Sequence, residues 1–138
     1  RQHPAMTCDV EFLAVVNEAL SGARFVSLVI GKFQGSLHLS KEGASLRRYR
    51  IDWADYLSGS VAEVPGVEAE AYKFAPLIAP MIEEDLIAIR HINGVYELVF
   101  SSGRSVFAGK HRGVRSADNV LIITALDDGD VFTWGILD

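Results

Sequence analysis

The 138-residue sequence predicts an α+β fold: a mainly antiparallel sheet built from successive hairpins, with an N-terminal helix and a helical connector between two β-rich halves. Three observations predict it. Apolar runs of strand length fill residues 86–137 and are punctuated by Asn93-Gly94, Ser101-Ser102-Gly103 and Asp127-Asp128-Gly129-Asp130, turn compositions that join antiparallel neighbours. An apolar stripe at helical spacing opens the chain. A second helical stretch, interrupted by Pro76 and Pro80, divides one strand-rich region from the next.

The first helix is expected from about Cys8 to Ser21. Thr7 has the chemistry of an N-cap, and Asp9 and Glu11 suit the positive end of the helix dipole. Phe12, Val16, Ala19 and Leu20 recur on one face with Leu13 and Val15 beside them, Glu11, Asn17 and Glu18 interrupt the apolar run from Val10 to Leu20, and Gly22 stops the helix. Arg24 to Ile30 is a β-branched strand turned by residues 31–35, after which Leu37 and Leu39 face one way and Ser36, His38 and Ser40 the other. Lys41-Glu42-Gly43 makes the next turn. Leu46 then has the opposite parity to Tyr49 and Ile51, so a bulge is expected near Arg47-Arg48, presenting both arginines to solvent.

Asp52 is expected to cap a short helical turn carrying Trp53 and Tyr56-Leu57 and ended by Gly59. Residues 61–67 read as a loop around Pro65-Gly66. From Glu68 to Asp85 the pattern is helical but broken. Pro80 removes the hydrogen bond to the carbonyl of residue 76, so one helix should end before Pro76 and a second should run from Pro76 to Glu84. Strands are expected at Leu86–Ile92, Val95–Phe100, Ser105–Ala108, Val120–Leu126 and Val131–Leu137, with Lys110 to Asn119 the longest polar loop among them. The expected core is Phe12, Val16, Leu20, Val26, Leu28, Leu37, Leu39, Ile89, Leu98, Phe100, Val106, Ile122 and Phe132. A faint repeat is visible. Leu37-His38-Leu39, a glycine turn and Ser45-Leu46 echo Leu98-Val99-Phe100, Gly103 and Ser105-Val106, and a basic stretch follows each.

Length and composition suit one domain spanning 1–138, with 49% hydrophobic and 22% charged residues, the balance of a folded and not a disordered chain. Met6 is a candidate start, with Arg1 to Ala5 an added or flexible lead, and removal of a targeting segment is the other reading of that start. No apolar run approaches the roughly 20 residues of a membrane helix. The single cysteine, Cys8, has no internal disulfide partner, which fits a reducing compartment and a cytoplasmic location. The formal net charge of −5 argues against general nucleic-acid binding. Its distribution is uneven: +3 over residues 1–51, −7 over 52–85 and −1 over 86–138.

The motifs of common chemistries are missing. One cysteine and four scattered histidines do not make a zinc pattern, and Gly31 to Gly35 lacks the Gly-Lys pair of a phosphate loop. No Gly-x-Ser-x-Gly elbow occurs. Asp127, Asp128 and Asp130 are too crowded for a calcium loop and read as a solvated hairpin tip. No catalytic residue, metal or cofactor is therefore expected. An enzyme reading rests only on His38, His91 or His111 meeting an acid in a cleft. Two basic stretches carry an anion-binding reading: Arg47, Arg48, Tyr49 and Arg50, which combine charge with a stacking ring, and Lys110, His111, Arg112 and Arg115. The plainer reading is that Lys and Arg guard strand edges.

Small size, excess acid, an α+β hairpin architecture and the lack of a catalytic motif give the chain a whole-chain resemblance to the immunity proteins of bacterial polymorphic-toxin systems. The resemblance implies a soluble, non-enzymatic protein-binding module that neutralises one toxin domain, with a basic protein partner and no membrane. The acidic residues Glu83, Glu84, Asp85, Asp127, Asp128 and Asp130 are then the expected contacts. The alternative is a nucleic-acid or anionic-ligand binder using the two basic stretches.

Overall fold

The computed structural model describes residues 10–32, 34–53, 56–59, 71–92, 95–109, 120–127 and 130–137. In chain order these form helix α1 (Val10–Leu20), strands β1 (Ala23–Ile30), β2 (Gly35–Lys41), β3 (Arg47–Trp53) and β4 (Tyr56–Ser58), a short helix α2 (Ala75–Ile78) between 3-10 turns at Ala71–Phe74 and Ala79–Met81, and strands β5 (Asp85–Ile92), β6 (Val95–Phe100), β7 (Ser105–Gly109), β8 (Leu121–Asp127) and β9 (Asp130–Leu137). The class is α+β, with every strand pair antiparallel in one nine-stranded sheet of order β4-β7-β6-β5-β1-β2-β3-β8-β9.

That order is a palindrome extended by β9, and the register shows why. Adding 61 to both residue numbers carries the pairs of the β1–β2 hairpin onto those of β5–β6: Phe25↔Leu39 onto Leu86↔Phe100, Leu28↔Leu37 onto Ile89↔Leu98, Val29↔Ser36 onto Arg90↔Glu97. Both first strands are bulged at the same place, between Phe25 and Ser27 and between Leu86 and Ala88. The same shift carries α1 onto the helical segment 71–81. It also carries Gly22, with φ 87°, onto Glu83, the one non-glycine residue with positive φ among those described, at 78°. Even the joint is reciprocal. The Gly22 N–H donates to the Leu86 carbonyl and the Glu83 N–H to the Phe25 carbonyl, both at 2.7 Å. Arg24 and Asp85, equivalent under the shift, face each other across β1 and β5 and form an ion pair at 3.3 Å, so a pseudo-twofold axis passes between them.

The fourth strands are exchanged. β4 follows β3 but pairs with β7, and β8 follows β7 but pairs with β3. Residues 54–55 alone separate Trp53 from Tyr56, which confines those two Cα atoms to within about 11 Å, three Cα steps. Strands at the first and seventh positions of the sheet are thereby brought together, so the sheet must curl back on itself. The enclosed core is one cluster drawing on α1, the helical segment and both halves of the sheet, with Trp53, Tyr96, Phe25 and Phe100 its largest fully buried members.

Several local expectations are corrected. A bulge reverses the faces in β1, so Phe25 is buried and Val26, the extra residue, is 47% exposed; in β8, which pairs with β3 without a break, Ile123 lies opposite the buried Ile51 and is buried in place of Ile122, which is half-buried. No bulge occurs near Arg47-Arg48: β2 and β3 pair without a break from Gly35↔Trp53 to Lys41↔Arg47, and the parity conflict vanishes because Leu46 lies outside the strand. Trp53 and Tyr56-Leu57 are in strands and not in a helical turn, because pairing with β2, β8 and β7 outweighs a local cap at Asp52. Pro76 and Pro80 each sit at the start of a helical piece, giving three short pieces in place of two helices. In the repeat, Val106 corresponds to Ile51, the partner of Leu37, and not to Leu46. Side chains of Phe12 and Phe132 lie outside the described residues. No helix among those described is long and apolar enough to cross a membrane.

Candidate functional site

The acidic run at residues 83–85 sits at the pseudo-twofold joint, and two of its three members are engaged there. The Glu84 carboxylate accepts from the Ser102 N–H at 3.0 Å and from Arg104 at 2.8 Å, while Arg104 Nε donates to Ser102 Oγ at 3.2 Å. Hydrogen bonding by the Ser102 side chain, with Arg104 assisting against partial desolvation, holds the Glu84 carboxyl below its ordinary range. Asp85 pairs with Arg24, and its N–H donates to Ser101 Oγ at 3.1 Å. Glu83 is the exposed member, held beside Phe25 by its own N–H. Asp127 and Asp130 close the β8–β9 ladder as partners; their side chains, and all of Asp128, lie outside the described residues.

The basic residues of β3 divide between two faces. Tyr49 is buried, with 6% exposure, because it points inward with Ile51 and Trp53. This removes the expected stacking ring from the surface. Arg48 and Arg50 point outward, and Arg50 is held by Asp52 at 3.2 Å. Arg47, at the strand's start, lines an open groove of about 340 Å³ with Lys41, Ser45, Glu42, Tyr49 and Ala19. Lys41 spans it to reach the Ala19 carbonyl at 3.1 Å, placing a cation at the C-terminal end of α1. Lys110, His111, Arg112 and Arg115 lie outside the described residues.

The outward face carries a buried carboxylate in each half. Ser36 Oγ and Arg50 hold Asp52 across β2 and β3. Ser105 Oγ at 2.7 Å and Arg90 Nε at 3.0 Å hold Glu97 across β5, β6 and β7. His38 is half-buried beside its partner Arg50, and the exposed His91 lies against Tyr96 with ring centroids 4.8 Å apart. Neither imidazole bonds a carboxylate among the described residues. Those residues also contain no group of three His, Cys, Asp or Glu able to hold a metal.

Among the described residues the exposed large apolar side chains are Val15, Val26, Val29, Leu46, Tyr72 and Ile87, of which Val26 and Ile87 are the bulged residues. Val26 is 47% and Val29 59% exposed on the outward side of β1, next to Glu83, Arg24 and Ser27. The bulged residue of the other half, Ile87, is 45% exposed. Beyond the two pairs Ala23↔Leu86 and Arg24↔Asp85 the first strands part company. The edge of β5 that is left behind is filled by α1: Asn17 Nδ2 donates to the Ile89 carbonyl at 2.8 Å, and the Ile89 N–H donates to Asn17 Oδ1 at 2.7 Å. The carboxamide thus takes the place of a peptide group of a neighbouring strand.

Asn17, Asp52, Glu97 and the pair Val26 and Val29 are the features sequence reasoning missed. Asn17 alone left a signal, as a polar residue between Val16 and Leu20 on an apolar stripe. No protein-family model, curated protein or solved structure gives a significant match to the chain.

Proposed function

We propose that this protein is a non-enzymatic protein-binding module, and in its concrete form an inhibitor of the immunity type that covers a toxin domain. The observation that carries the reading is the outward face of β1, where Val26 and Val29 are about half exposed beside Glu83, Arg24 and Ser27. Apolar side chains left in water and rimmed by polar groups are what a partner's contact surface gains from covering. At roughly 25 cal/mol per Å² of apolar area, withdrawing such a patch from water favours association. The formal charge of −5 would steer a basic partner, and Glu83 is the acid best placed to meet it, since Glu84 and Asp85 already serve Arg104 and Arg24.

The test is co-expression of the chain with the products of its neighbouring genes, followed by size-exclusion chromatography of the complex. A stoichiometric complex that is lost in V26D/V29D, while far-UV circular dichroism of the variant is unchanged, supports the reading. A complex unaffected by V26D/V29D removes this face, and failure of every neighbouring product to bind removes the immunity form.

The groove at Arg47 favours a second reading, an anionic ligand held by Arg47, Lys41 and the Ser45 hydroxyl. Binding of inorganic phosphate or a short oligonucleotide that weakens steeply with salt, and is lost in R47A, is its expected result. No binding at low salt removes it.

A further inference from the structure

The pseudo-twofold repeat makes each half a control for the other, and the outward face of β1–β3 differs from its counterpart in charge. Register sets its side chains in rows. Arg24, Ser40 and Arg48 lie side by side across β1, β2 and β3, and Ser27, His38 and Arg50 form the next row. Each of these side chains carries a hydrogen-bond donor. Arg24, Ser27 and Arg48 are exposed, and Ser40, His38 and Arg50 are half-buried. Arg24 is paired with Asp85, and Arg50 gives its Nε to Asp52. Among the described residues the side chains of Arg48, His38 and Ser40 have no partner. The fold does not call for these donors. β2 and β3 have neighbours on both sides, so their cations guard no sheet edge. In the other half Ala88 stands at the place of Ser27 and Val99 at the place of His38, while Ser105, opposite Val99, replaces Arg50. β7 begins at Ser105, so Arg48 has no counterpart in that strand. Arg90, at the place of Val29, is bound to Glu97 at 3.0 Å. The same backbone therefore folds with small or apolar side chains where the first half presents donors.

We propose that the outward face of β1–β3 receives an acidic segment of a protein partner, with carboxylates on Arg48, His38 and Arg50 and an apolar side chain on Val26 and Val29. The proposal rests on the protein-binding reading and specifies the chemistry of the segment that makes the contact. A guanidinium presents its donors in a planar fork that matches a carboxylate. Arg48 and Arg50 are two residues apart on one side of β3, so they repel each other, and a carboxylate laid between them relieves this. β1 and β3 stand about 10 Å apart, two strand spacings, so one short segment reaches both the valines and the arginines. The valines fit a protein segment better than a nucleic-acid strand, which would look for a stacking ring: Tyr49 and Trp53, the aromatic residues of β3, are both turned inward. Net charge governs approach at long range and the local face governs contact, so a partner steered by the formal charge of −5 can still seat an acidic cluster here.

The probe is a synthetic peptide of two leucines followed by four glutamates, labelled with a fluorophore and titrated with the full chain at low salt. Saturable binding is expected, weakening as salt rises, with shifts of the Arg48 Nε–H and His38 ring signals in NMR spectra at saturation. Arg48→Glu should weaken binding by about tenfold or more, since it sets like charges against each other. His38→Val places the counterpart's residue on the same backbone and should weaken binding by a smaller factor. If circular dichroism shows Arg48→Glu unfolded, the side-chain signals of the wild-type protein decide. Absence of binding, equal binding in Arg48→Glu, equal binding of a peptide with lysine in place of glutamate, or Arg48 and His38 signals unmoved by saturating peptide overturns the proposal. An oligothymidylate that displaces the peptide and shifts the same signals would assign the face to nucleic acid and also overturn it. A co-expressed partner that is lost in V26D/V29D but binds Arg48→Glu as well as wild type would leave the protein-binding reading standing and the acidic segment refuted.

Discussion

Replacing Asn17 by alanine isolates the role of one carboxamide in sealing the sheet. The side chain makes two bonds to Ile89, at 2.7 and 2.8 Å, and a third to the Leu13 carbonyl at 3.1 Å. Ile89 is 1% exposed, so its N–H and C=O have no ready access to water once the carboxamide is gone. A buried backbone group left unsatisfied costs about 1–3 kcal/mol. Two such groups cost about 2–6 kcal/mol, a large share of the roughly 5–15 kcal/mol that holds an ordinary domain together. Urea denaturation followed by tryptophan fluorescence should show a lowered midpoint with an unchanged slope. Native-state hydrogen exchange should show the Ile89 amide, protected in the wild type, exchanging much faster in N17A. N17D is the internal control. Its carboxylate still accepts from the Ile89 N–H but faces the Ile89 carbonyl with a second acceptor, so it should also be destabilised. A shift in N17A below about 1 kcal/mol, with Ile89 protection retained, would refute the idea that this side chain stands in for a strand.

Three further outcomes follow from the same structure. Glu84→Gln should destabilise the fold in a pH-dependent way: the folded-state pKa is lowered, so the stabilisation is present above the ordinary glutamate range and lost as pH falls through the folded value. Urea midpoints of wild type and E84Q should therefore differ at neutral pH and converge as the pH falls below the ordinary glutamate range; a gap that widens on acidification would contradict this. Gly35→Ala should destabilise by about 1–3 kcal/mol in thermal unfolding, because a Cβ at Gly35 would collide with the indole of Trp53, which is 1% exposed and has no room to move. Glu83→Gly should stabilise by about 0.5–1 kcal/mol while Gly22→Ala costs about 1 kcal/mol, since both positions have positive φ and only one carries the residue that suits it; equal and opposite shifts would be a direct reading of the repeat.

Much of the class was legible in the sequence. Turn compositions at Asn93-Gly94 and Ser101-Ser102-Gly103 and alternation at Leu37 and Leu39 are local signals, and local signals set hairpins. The repeat was legible only where its two copies keep the same spacing, at Leu37 and Leu98. The connection between β2 and β3 is longer than that between β6 and β7, so matching onward in sequence aligned Leu46, an exposed residue, with the buried Val106. Bulges were missed because Val26 and Ile87 are residues any buried strand would welcome. Their exposure follows from pairing geometry and not from residue type. The candidate site was less legible still. Tyr49 among three arginines reads as surface, yet alternation turns it inward. The acidic run at 83–85 reads as surface too, yet Arg24 and Arg104, distant in sequence, close on two of its members.

The exchanged fourth strands impose an order on synthesis. When β3 leaves the ribosome its second neighbour, β8, is still about seventy residues from being made, as the pair Trp53↔Leu121 shows. β4 likewise waits for β7, through the pair Ser58↔Phe107. The N-terminal half therefore emerges with Trp53 and the free side of β3 unpaired and cannot complete its core alone. Its contacts have the long sequence separations that slow folding and prolong the lifetime of sticky, half-made states. A nascent chain stalled near residue 70 should be protease-sensitive and chaperone-bound. A bicistronic message encoding residues 1–70 and 71–138 as separate polypeptides should yield a soluble heterodimer only when both are translated together.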